Sequence, residues 1–476
     1  MTECERYMRD WFEKSNDVYF STMYLAEKEQ SKVILLYCEG LVNMNKVEKQ
    51  IIPALKTLYS NTQFLADWEE QLLQLPLIGV EKIEKLKKQE VEEQVYSGDL
   101  FVIMDTVQQV YRFQVSNPPH RNPEESSTES SIRGPKDGFI EELIMNRALI
   151  RKRLKSNELR YEQFNLGKET KTKVGMLYIE GTASEDVVNK VREALHACDI
   201  EALYSSEQLG KIITNKKNTM IPMFGSTNRP DFVAESLLNG KVSLLIDGLP
   251  TALIVPINLF FLFKSAEDAH VGPYVVLERS LRLFAFSIAV FLPGFWISLV
   301  TFHQDQLPFP MLATIAISRE GVPLSAPLEL FIMIMLFELF REAGMRLPST
   351  LGPTLGVVGG IIIGDAAISA GVTSPMMLVI AGTTAVATYS LITHTLSGSV
   401  SIMRLYVFFF SSILGLFGFF ISFLSIIIYL ASLRSISVPF LSPISPLHHK
   451  NIPYTLFRLE WNKSSTMPSK SRKKKE

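Results

Sequence analysis

The residues of this chain that could do unusual chemistry lie in an apolar stretch around residue 360. Four glycines recur there at every fourth position: Gly352, Gly356, Gly360 and Gly364. Residues four apart share one face of a helix, so the spacing predicts a glycine stripe against which another helix can pack closely. Asp365 follows directly and is the only Asp, Glu, Lys or Arg between Arg346 and Arg404.

A carboxylate at this position costs about 3 kcal/mol to place in lipid, so Asp365 is expected to face protein or water. One interpretation is a close-packed helix whose carboxylate is shielded. The other is the contact and pore helix of a homo-oligomer, in which a ring of Asp365 carboxylates attracts cations. The residue types alone leave both interpretations open.

Six charged residues that precede the glycine stripe are predicted to form structural ion pairs within the apolar region: Arg319, Glu320, Glu338, Arg341, Glu342 and Arg346. The last four are three or four residues apart, the spacing at which opposite charges meet on a helix. Arg319 and Glu320 could pair with each other or flank an ion entrance.

The distribution of charge divides the chain of 476 residues into a soluble half and a membrane half. Residues 1–282 carry most of the charged side chains, and residues 283–433 carry very few. The net charge of −1 argues against a nucleic-acid binder. The charged N-terminus lacks the pattern of a secretory signal, and Cys4, Cys38 and Cys198 fit a reducing compartment, so we expect the soluble half to be cytoplasmic.

Five apolar segments in the second half are candidates for membrane spans: Leu283–Phe302, Pro327–Phe340, Leu351–Ala370, Met376–Ile392 and Tyr406–Leu433. The basic tail, ending KSRKKKE, should lie on the same side as the soluble half, which requires an even number of spans. We therefore predict four spans and take Pro327–Phe340, which contains two glutamates, as the weakest candidate.

The soluble half contains an internal duplication. KVILLYCEG, which begins at Lys32, matches KVGMLYIEG, which begins at Lys173, and Gly98 matches Gly240 at nearly the same offset. Such self-similarity indicates repeated supersecondary units. Each unit is predicted to be a small α/β lobe, so the fold class is an α/β cytoplasmic region of two similar lobes followed by an α-helical transmembrane domain.

The predicted domain boundaries follow from these patterns. Residues 1–115 form the first lobe, 116–160 a Pro/Ser-rich linker and a basic helix, 161–280 the second lobe, 281–434 the membrane domain and 435–476 a basic tail. In the basic helix Asp137 is the predicted N-cap. Arg147, Arg151, Lys152 and Arg153 end it, and the helix either packs between the lobes or contacts a partner or anionic headgroups.

Motifs for catalysis are absent from the sequence. There is no Walker loop, no Ser-His-Asp spacing and no metal-ligand spacing, so we predict neither an enzyme nor a bound cofactor or metal.

Several blocks of the chain resemble the A subunit of the GerA-type spore germination receptors. They include RGPKDGFIEELIMNRALIRKRL, TKVGMLYIEG, FELFREAGMRLP and GGIIIGDAAISAGVTSP, within a resemblance that covers about Asp17 to Ile392. The chain departs from the family pattern at THTLSGSVSIMRL, which lacks a proline expected before the last helix.

The resemblance implies a subunit of a nutrient germinant receptor in the spore inner membrane, acting with B and C subunits, its N-terminal domain on the spore-core side. It further implies homo-oligomer formation and conduction of cations. A non-conducting scaffold, either for the receptor or for the dipicolinate-release channel, is the alternative, because the glycine stripe alone would serve it. An independent transporter is a third hypothesis, but the membrane half shows no inverted repeat.

Overall fold

The computed structural model describes most of the chain: residues 3–13, 15–25, 32–61, 79–83, 87–104, 109–117, 137–215, 219–264, 273–346, 364–391 and 394–447. Two compact units account for these residues. The α/β unit lies within Met1–Lys217 and Phe224–Pro256, and the helical unit within Asn218–Met223 and Ile257–Asn462.

Two five-stranded antiparallel sheets form the α/β unit, and their strands run in the order β1-β2-β4-β5-β3 and β6-β7-β9-β10-β8. The strands are β1 Val18–Tyr24, β2 Lys32–Cys38, β3 Val80–Ile83, β4 Leu100–Met104, β5 Gln109–Phe113, β6 Leu159–Leu166, β7 Thr172–Ile179, β8 Gly225–Thr227, β9 Val242–Ile246 and β10 Ala252–Val255. Because β2 and β7 hold the same place in the two orders, the prediction of two similar lobes is confirmed.

Helices connect these strands. They are α1 Glu3–Phe12, α2 Ile52–Asn61, α3 Lys88–Val95, α4 Leu143–Arg153, α5 Glu185–His196, α6 Ser206–Ile213 and α7 Pro230–Leu238. A turn of helix, Met44–Lys46, and a π-helical stretch, Val47–Ile51, lead into α2.

The glycines shared by the repeats have a structural role. Gly40 and Gly181 have φ angles of 83° and 79°, a left-handed conformation that glycine adopts without strain. A Cβ on Gly98 would lie 2.5 Å from the carbonyl oxygen of Leu41, the residue after Gly40. A Cβ on Gly240 would lie 2.8 Å from the carbonyl oxygen of Thr182, the residue after Gly181. The same close approach therefore closes both lobes.

Helix α4 packs between the lobes, which was the first of the two interpretations. Its Arg151 is fully buried and bonds Asp17 of the first lobe through two nitrogens, at 2.7 and 3.1 Å. Arg147 bonds Glu39 of the first lobe, and its guanidinium lies 4.8 Å from the ring centroid of Tyr161 in the second. These arginines are therefore used inside the protein and are not a surface for headgroups.

The beginning of α4 differs from the prediction. The helix starts at Leu143, and Asp137 instead accepts a hydrogen bond from Arg153. The Leu143 amide donates to Asp247 Oδ1 at 3.1 Å, so a carboxylate at the β9–β10 turn caps the helix. Local sequence could not show this cap, because it comes from the second lobe.

The helical unit consists of α8 Leu259–Leu262, α9 Pro273–Phe302, α10 Phe309–Ser318, α11 Ala326–Arg346, α12 Pro375–Tyr389 and α13 His394–Ser432, together with a helical stretch at 364–369 and two short strands, β11 Arg434–Ser435 and β12 Val438–Pro439. Among the described residues, two helical segments are long and apolar enough to cross a membrane, Val276–Phe302 and Leu396–Ser432. Only 33% of the most apolar window of Leu396–Ser432 is buried, so this helix presents a large apolar surface.

Helix α13 reverses its direction at Gly415, whose φ and ψ of 63° and −142° are non-helical. The Tyr406 hydroxyl lies 2.8 Å from Ser425 Oγ, whereas a straight helix separates residues 19 apart by about 28 Å. The segment Tyr406–Leu433, which the sequence predicts as one span, is therefore part of a hairpin with arms 394–414 and 416–432. Hydropathy gave no sign of this, because the apolar run continues through the turn.

The reversal predicts a sharp effect of substitution at Gly415. In G415A the added Cβ would lie 2.9 Å from the Phe302 Cβ, and the alanine would have to adopt an unfavourable φ. We therefore expect a loss of about 1–3 kcal/mol in the free energy of unfolding. G398A is the control, since a Cβ there meets nothing within 4 Å and alanine favours a helix by about 1 kcal/mol. Thermal unfolding in detergent measures both, and equal midpoints for the two variants would contradict the assigned turn.

Contacts along the helices fix their relative directions. Gly294 of α9 lies against Val407 and Ser411, and Phe302 lies against Gly415, so the first arm of α13 runs parallel to α9. On α11, the ring of Phe331 lies 6.2 Å from that of Phe408, whereas Glu338 bonds Arg404. Helix α11 therefore runs antiparallel to the first arm of α13.

The residues that precede α12 lie close to the beginning of α11. A Cβ on Gly371 would lie 3.5 Å from the Gly321 carbonyl oxygen, and Ser374 bonds Glu329, so residues 371–374 lie beside the beginning of α11. Helix α12 therefore begins at the same end of the bundle as α11.

Candidate functional site

The predicted glycine stripe is described only at its end. Gly352, Gly356 and Gly360 lie outside the described residues. Gly364 is buried, and a Cβ on it would lie 3.2 Å from a methyl group of Leu378, so its small size permits close approach to α12. Asp365 follows it in the helical stretch 364–369 and is exposed on the surface of the chain.

The first charged cluster, the Glu329 cluster, holds the beginning of α12. Glu329 is fully buried, and its Oε1 accepts hydrogen bonds of 2.6 Å from both the amide and the hydroxyl of Ser374. Thr373 donates a third hydrogen bond at 3.3 Å. Arg319 Nε lies 3.4 Å from Glu329 Oε2, an ion pair without a directed hydrogen bond.

The Glu329 cluster differs from the predicted pairing. The sequence pairs Arg319 with Glu320 as one option, but Glu320 is exposed and Arg319 faces Glu329. Sequence reasoning did not assign a role to Glu329. Its signal was present, since a lone glutamate in an apolar helix requires a partner, and Ser374-Pro375 is a pattern typical of a helix start.

The second cluster, the Glu338 triad, comprises Glu338, Arg341 and Arg404. Glu338 accepts hydrogen bonds from Arg341 Nη2 and, at 2.8 Å, from Arg404 Nη2. Arg404 also donates to Thr388 Oγ1 at 3.2 Å and is buried. Sequence reasoning brought Glu338 and Arg341 together but missed Arg404, which comes from α13.

Two of the predicted ion-pair residues lie further along α11. Glu342 is exposed and has an interaction of its own, and the side chain of Arg346 lies outside the described set.

The clusters place opposite charges at the two ends of α12. The Glu329 carboxylate meets the N-terminus of the helix, and the Arg404 guanidinium meets Thr388 in its last turn. A helix dipole favours negative charge at its N-terminus and positive charge at its C-terminus. The 15-residue apolar helix is therefore fixed electrostatically between α11 and α13.

The described residues offer no metal centre: among them, His, Cys, Asp and Glu do not gather in groups of three or more that could hold an ion. What the arrangement can do is bind and orient charge within an apolar bundle. An α/β unit of two like lobes, joined to long apolar helices with internal ion pairs, is the organisation of a membrane-associated protein.

The chain belongs to the family described as Bacillus/Clostridium GerA spore germination protein, whose model matches residues 6–470. The resemblance that the sequence motifs indicate is thereby confirmed.

Two relatives with similar sequences support this membership. The chain is 39% identical to Spore germination protein XA of Bacillus anthracis over 475 residues, 98% of this chain and 94% of the relative. It is 31% identical to Spore germination protein KA of Bacillus subtilis (strain 168) over 452 residues, 94% of this chain and 82% of the relative. A crystal structure of the N-terminal domain of the A subunit of the Bacillus megaterium spore germinant receptor GerK3 matches 53% of this chain and 93% of that chain, with 24% identity and a TM-score of 0.41.

Proposed function

We propose that the protein is the A-type subunit of a nutrient germinant receptor in the spore inner membrane, and that copies of it assemble into a nutrient-gated cation channel. In this role it acts with the B and C subunits of the receptor. Membership of the spore germination family supports the receptor role. The exposed position of Asp365 is the observation that carries the channel role.

Asp365 lies in an unfavourable position if a single chain faces lipid. Many exposed side chains of the helical unit are large and apolar, such as Val379, Val386 and Phe409. An exposed carboxylate on such a surface would cost about 3 kcal/mol in lipid. A second copy packed against the glycine-containing helix, with Asp365 lining a water-filled path between copies, removes this cost.

The distribution of charge supports one side for both ends of the chain. The α/β unit carries many charged side chains and the run KSRKKKE is basic, so both are expected on the side of the membrane that carries positive charge. This placement requires an even number of spans, as in the four that the sequence predicts. The side that carries positive charge is the cytoplasmic one, here the spore core.

The channel role is tested by D365N in spores that depend on this protein. We expect lower nutrient-triggered cation release, because the carboxylate ring that attracts cations is lost, with the oligomer size unchanged. D305N is the matched control, since Asp305 is also exposed in the helical unit but lies outside the glycine-containing stretch. Unchanged ion release in D365N would leave the scaffold as the function.

The same role predicts that G360L reduces assembly, because a large side chain prevents close approach of the helices. G344L is its control, since a Cβ on Gly344 meets nothing within 4 Å. Oligomer size is measured by light scattering of the purified protein in detergent. If both glycine variants retain the size of the wild type, the stripe is not the contact between copies.

A further inference from the structure

A polar cavity lies at the Glu338 triad, between α11, α12 and the first arm of α13. The space that it encloses is small, about 10 Å³, and the cavity is partly open to the surface. Its apolar wall includes Ile334, Phe337 and Ala381, and its polar wall includes the triad and Thr388. The proposed channel does not use this cavity.

The charges that line the cavity do not balance. Arg341 and Arg404 contribute two positive charges, and Glu338 contributes one negative charge. Both oxygens of Glu338 are occupied, Oε1 by Arg341 and Oε2 by Arg404. One positive charge in an apolar bundle is therefore left without a counter-charge among the residues that line this cavity.

Unused hydrogen-bond donors accompany the unbalanced charge. The Nε and Nη1 atoms of Arg341 and the Nε atom of Arg404 are buried and have no hydrogen-bond partner. The Arg404 side chain is only 4% exposed and the Arg341 side chain 13%, so bulk water has little access to these donors. Buried donors without partners destabilise a protein, and the cost is larger for charged groups.

We propose that this cavity binds a small monovalent anion, either chloride or a carboxylate group. The anion accepts hydrogen bonds from the free guanidinium nitrogens of Arg341 and Arg404 and neutralises the remaining positive charge. Guanidinium groups recognise carboxylates in this manner because their planar donors match the two oxygens. The apolar wall and the limited volume favour a small ion over a phosphate-bearing headgroup.

Thermal unfolding of the purified full-length protein in detergent tests the proposal. Sodium chloride or sodium acetate replaces the sodium salt of HEPES, a bulky sulfonate, at constant ionic strength. A ligand that binds the folded state raises its stability with concentration. For the wild type we expect a saturable rise of the midpoint with chloride, with acetate or with both, and the comparison identifies the preferred anion.

Variants of the triad must shift this response in opposite directions. R341Q leaves the neutral pair of Glu338 and Arg404, so the rise should disappear while the fold is retained. E338Q leaves two arginines without a carboxylate, so half of the rise should be reached at about tenfold lower anion concentration, equivalent to about 1.4 kcal/mol. R434Q removes an exposed arginine outside the cavity and should respond like the wild type.

The outcomes separate anion binding from hydration of the cavity. If the wild type shows the same midpoint in chloride, acetate and HEPES, the cavity holds water only and the proposal is wrong. A rise in R341Q equal to that of the wild type would also overturn it. If R341Q does not fold, E338Q carries the test, because an unchanged or weaker response in that variant contradicts the proposed site.

Discussion

Replacement of Arg151 by methionine is expected to lower the free energy of unfolding of the α/β unit by about 3–5 kcal/mol. Arg151 and Asp17 are both fully buried and share two hydrogen bonds, and the Arg151 guanidinium lies 4.0 Å from the ring centroid of Tyr96. Without Arg151, the Asp17 carboxylate remains buried without its counter-charge. Urea unfolding of the purified protein, monitored by hydrogen exchange at the amides of β7 and α4, measures this loss of unfolding free energy.

K152M is the matched control for this prediction. It removes one positive charge at the next position of α4, where the side chain is exposed, so its effect should stay within about 0.5 kcal/mol. The double variant R151M/D17N should be more stable than R151M alone, because the unpaired charge is gone. If R151M and K152M unfold alike, the buried pair does not hold the first lobe to α4.

The Arg151–Asp17 pair also predicts how the stability of the α/β unit depends on pH. Burial opposes ionisation of Asp17, but the charge and hydrogen bonds of Arg151 outweigh burial and hold the pKa of Asp17 below its ordinary value of 3.8. A carboxyl with a lowered folded-state pKa contributes stability above its unfolded pKa and loses it as pH falls through the folded pKa. The stability that Asp17 contributes should therefore persist at neutral pH and be lost progressively as the pH falls below about 4. In R151M the buried Asp17 carboxylate has lost this partner, so its protonation at low pH should cost the variant less stability than it costs the wild type.

Replacement of Glu329 by alanine is expected to have a similar effect on the helical unit, a loss of about 3–5 kcal/mol. The substitution leaves Arg319 without its counter-charge and removes the acceptor of the Ser374 amide and hydroxyl at the start of α12. We expect a lower thermal midpoint in detergent, with helix α12 the first to exchange its amide hydrogens.

E320A separates the two pairings of Arg319. Glu320 is adjacent in sequence but exposed, so its removal should change the unfolding free energy by less than about 0.5 kcal/mol. S374A removes one hydroxyl donor and should cost about 1 kcal/mol. A larger loss of unfolding free energy in E320A than in E329A would contradict Glu329 as the partner of Arg319.

The repeated lobes could be predicted because their signal is local and occurs twice. The glycines of the repeat are fixed by backbone geometry within each lobe, as the close approach of Gly98 to Leu41 and of Gly240 to Thr182 shows. The span at α9 could also be predicted from local sequence, because the length of an apolar run depends on composition alone.

Partners that come from distant parts of the chain could not be predicted. Asp17 lies 134 positions before Arg151, and Arg404 lies 66 positions after Glu338. Spacing rules pair residues three or four apart and give no access to such contacts. The reversal at Gly415 was missed for another reason: a glycine in an apolar run has the same composition whether the helix continues or turns.

The central claim, that copies of this chain form a cation-conducting path lined by Asp365, is tested most directly by flux through the purified protein in liposomes. The wild type and D365N would be reconstituted at equal density and loaded with potassium, and cation efflux would be recorded beside the oligomer size. We predict efflux through an oligomer of the wild type and markedly slower efflux through a D365N oligomer of the same size. Equal efflux in the two proteins, or none through a well-formed wild-type oligomer, would contradict the claim.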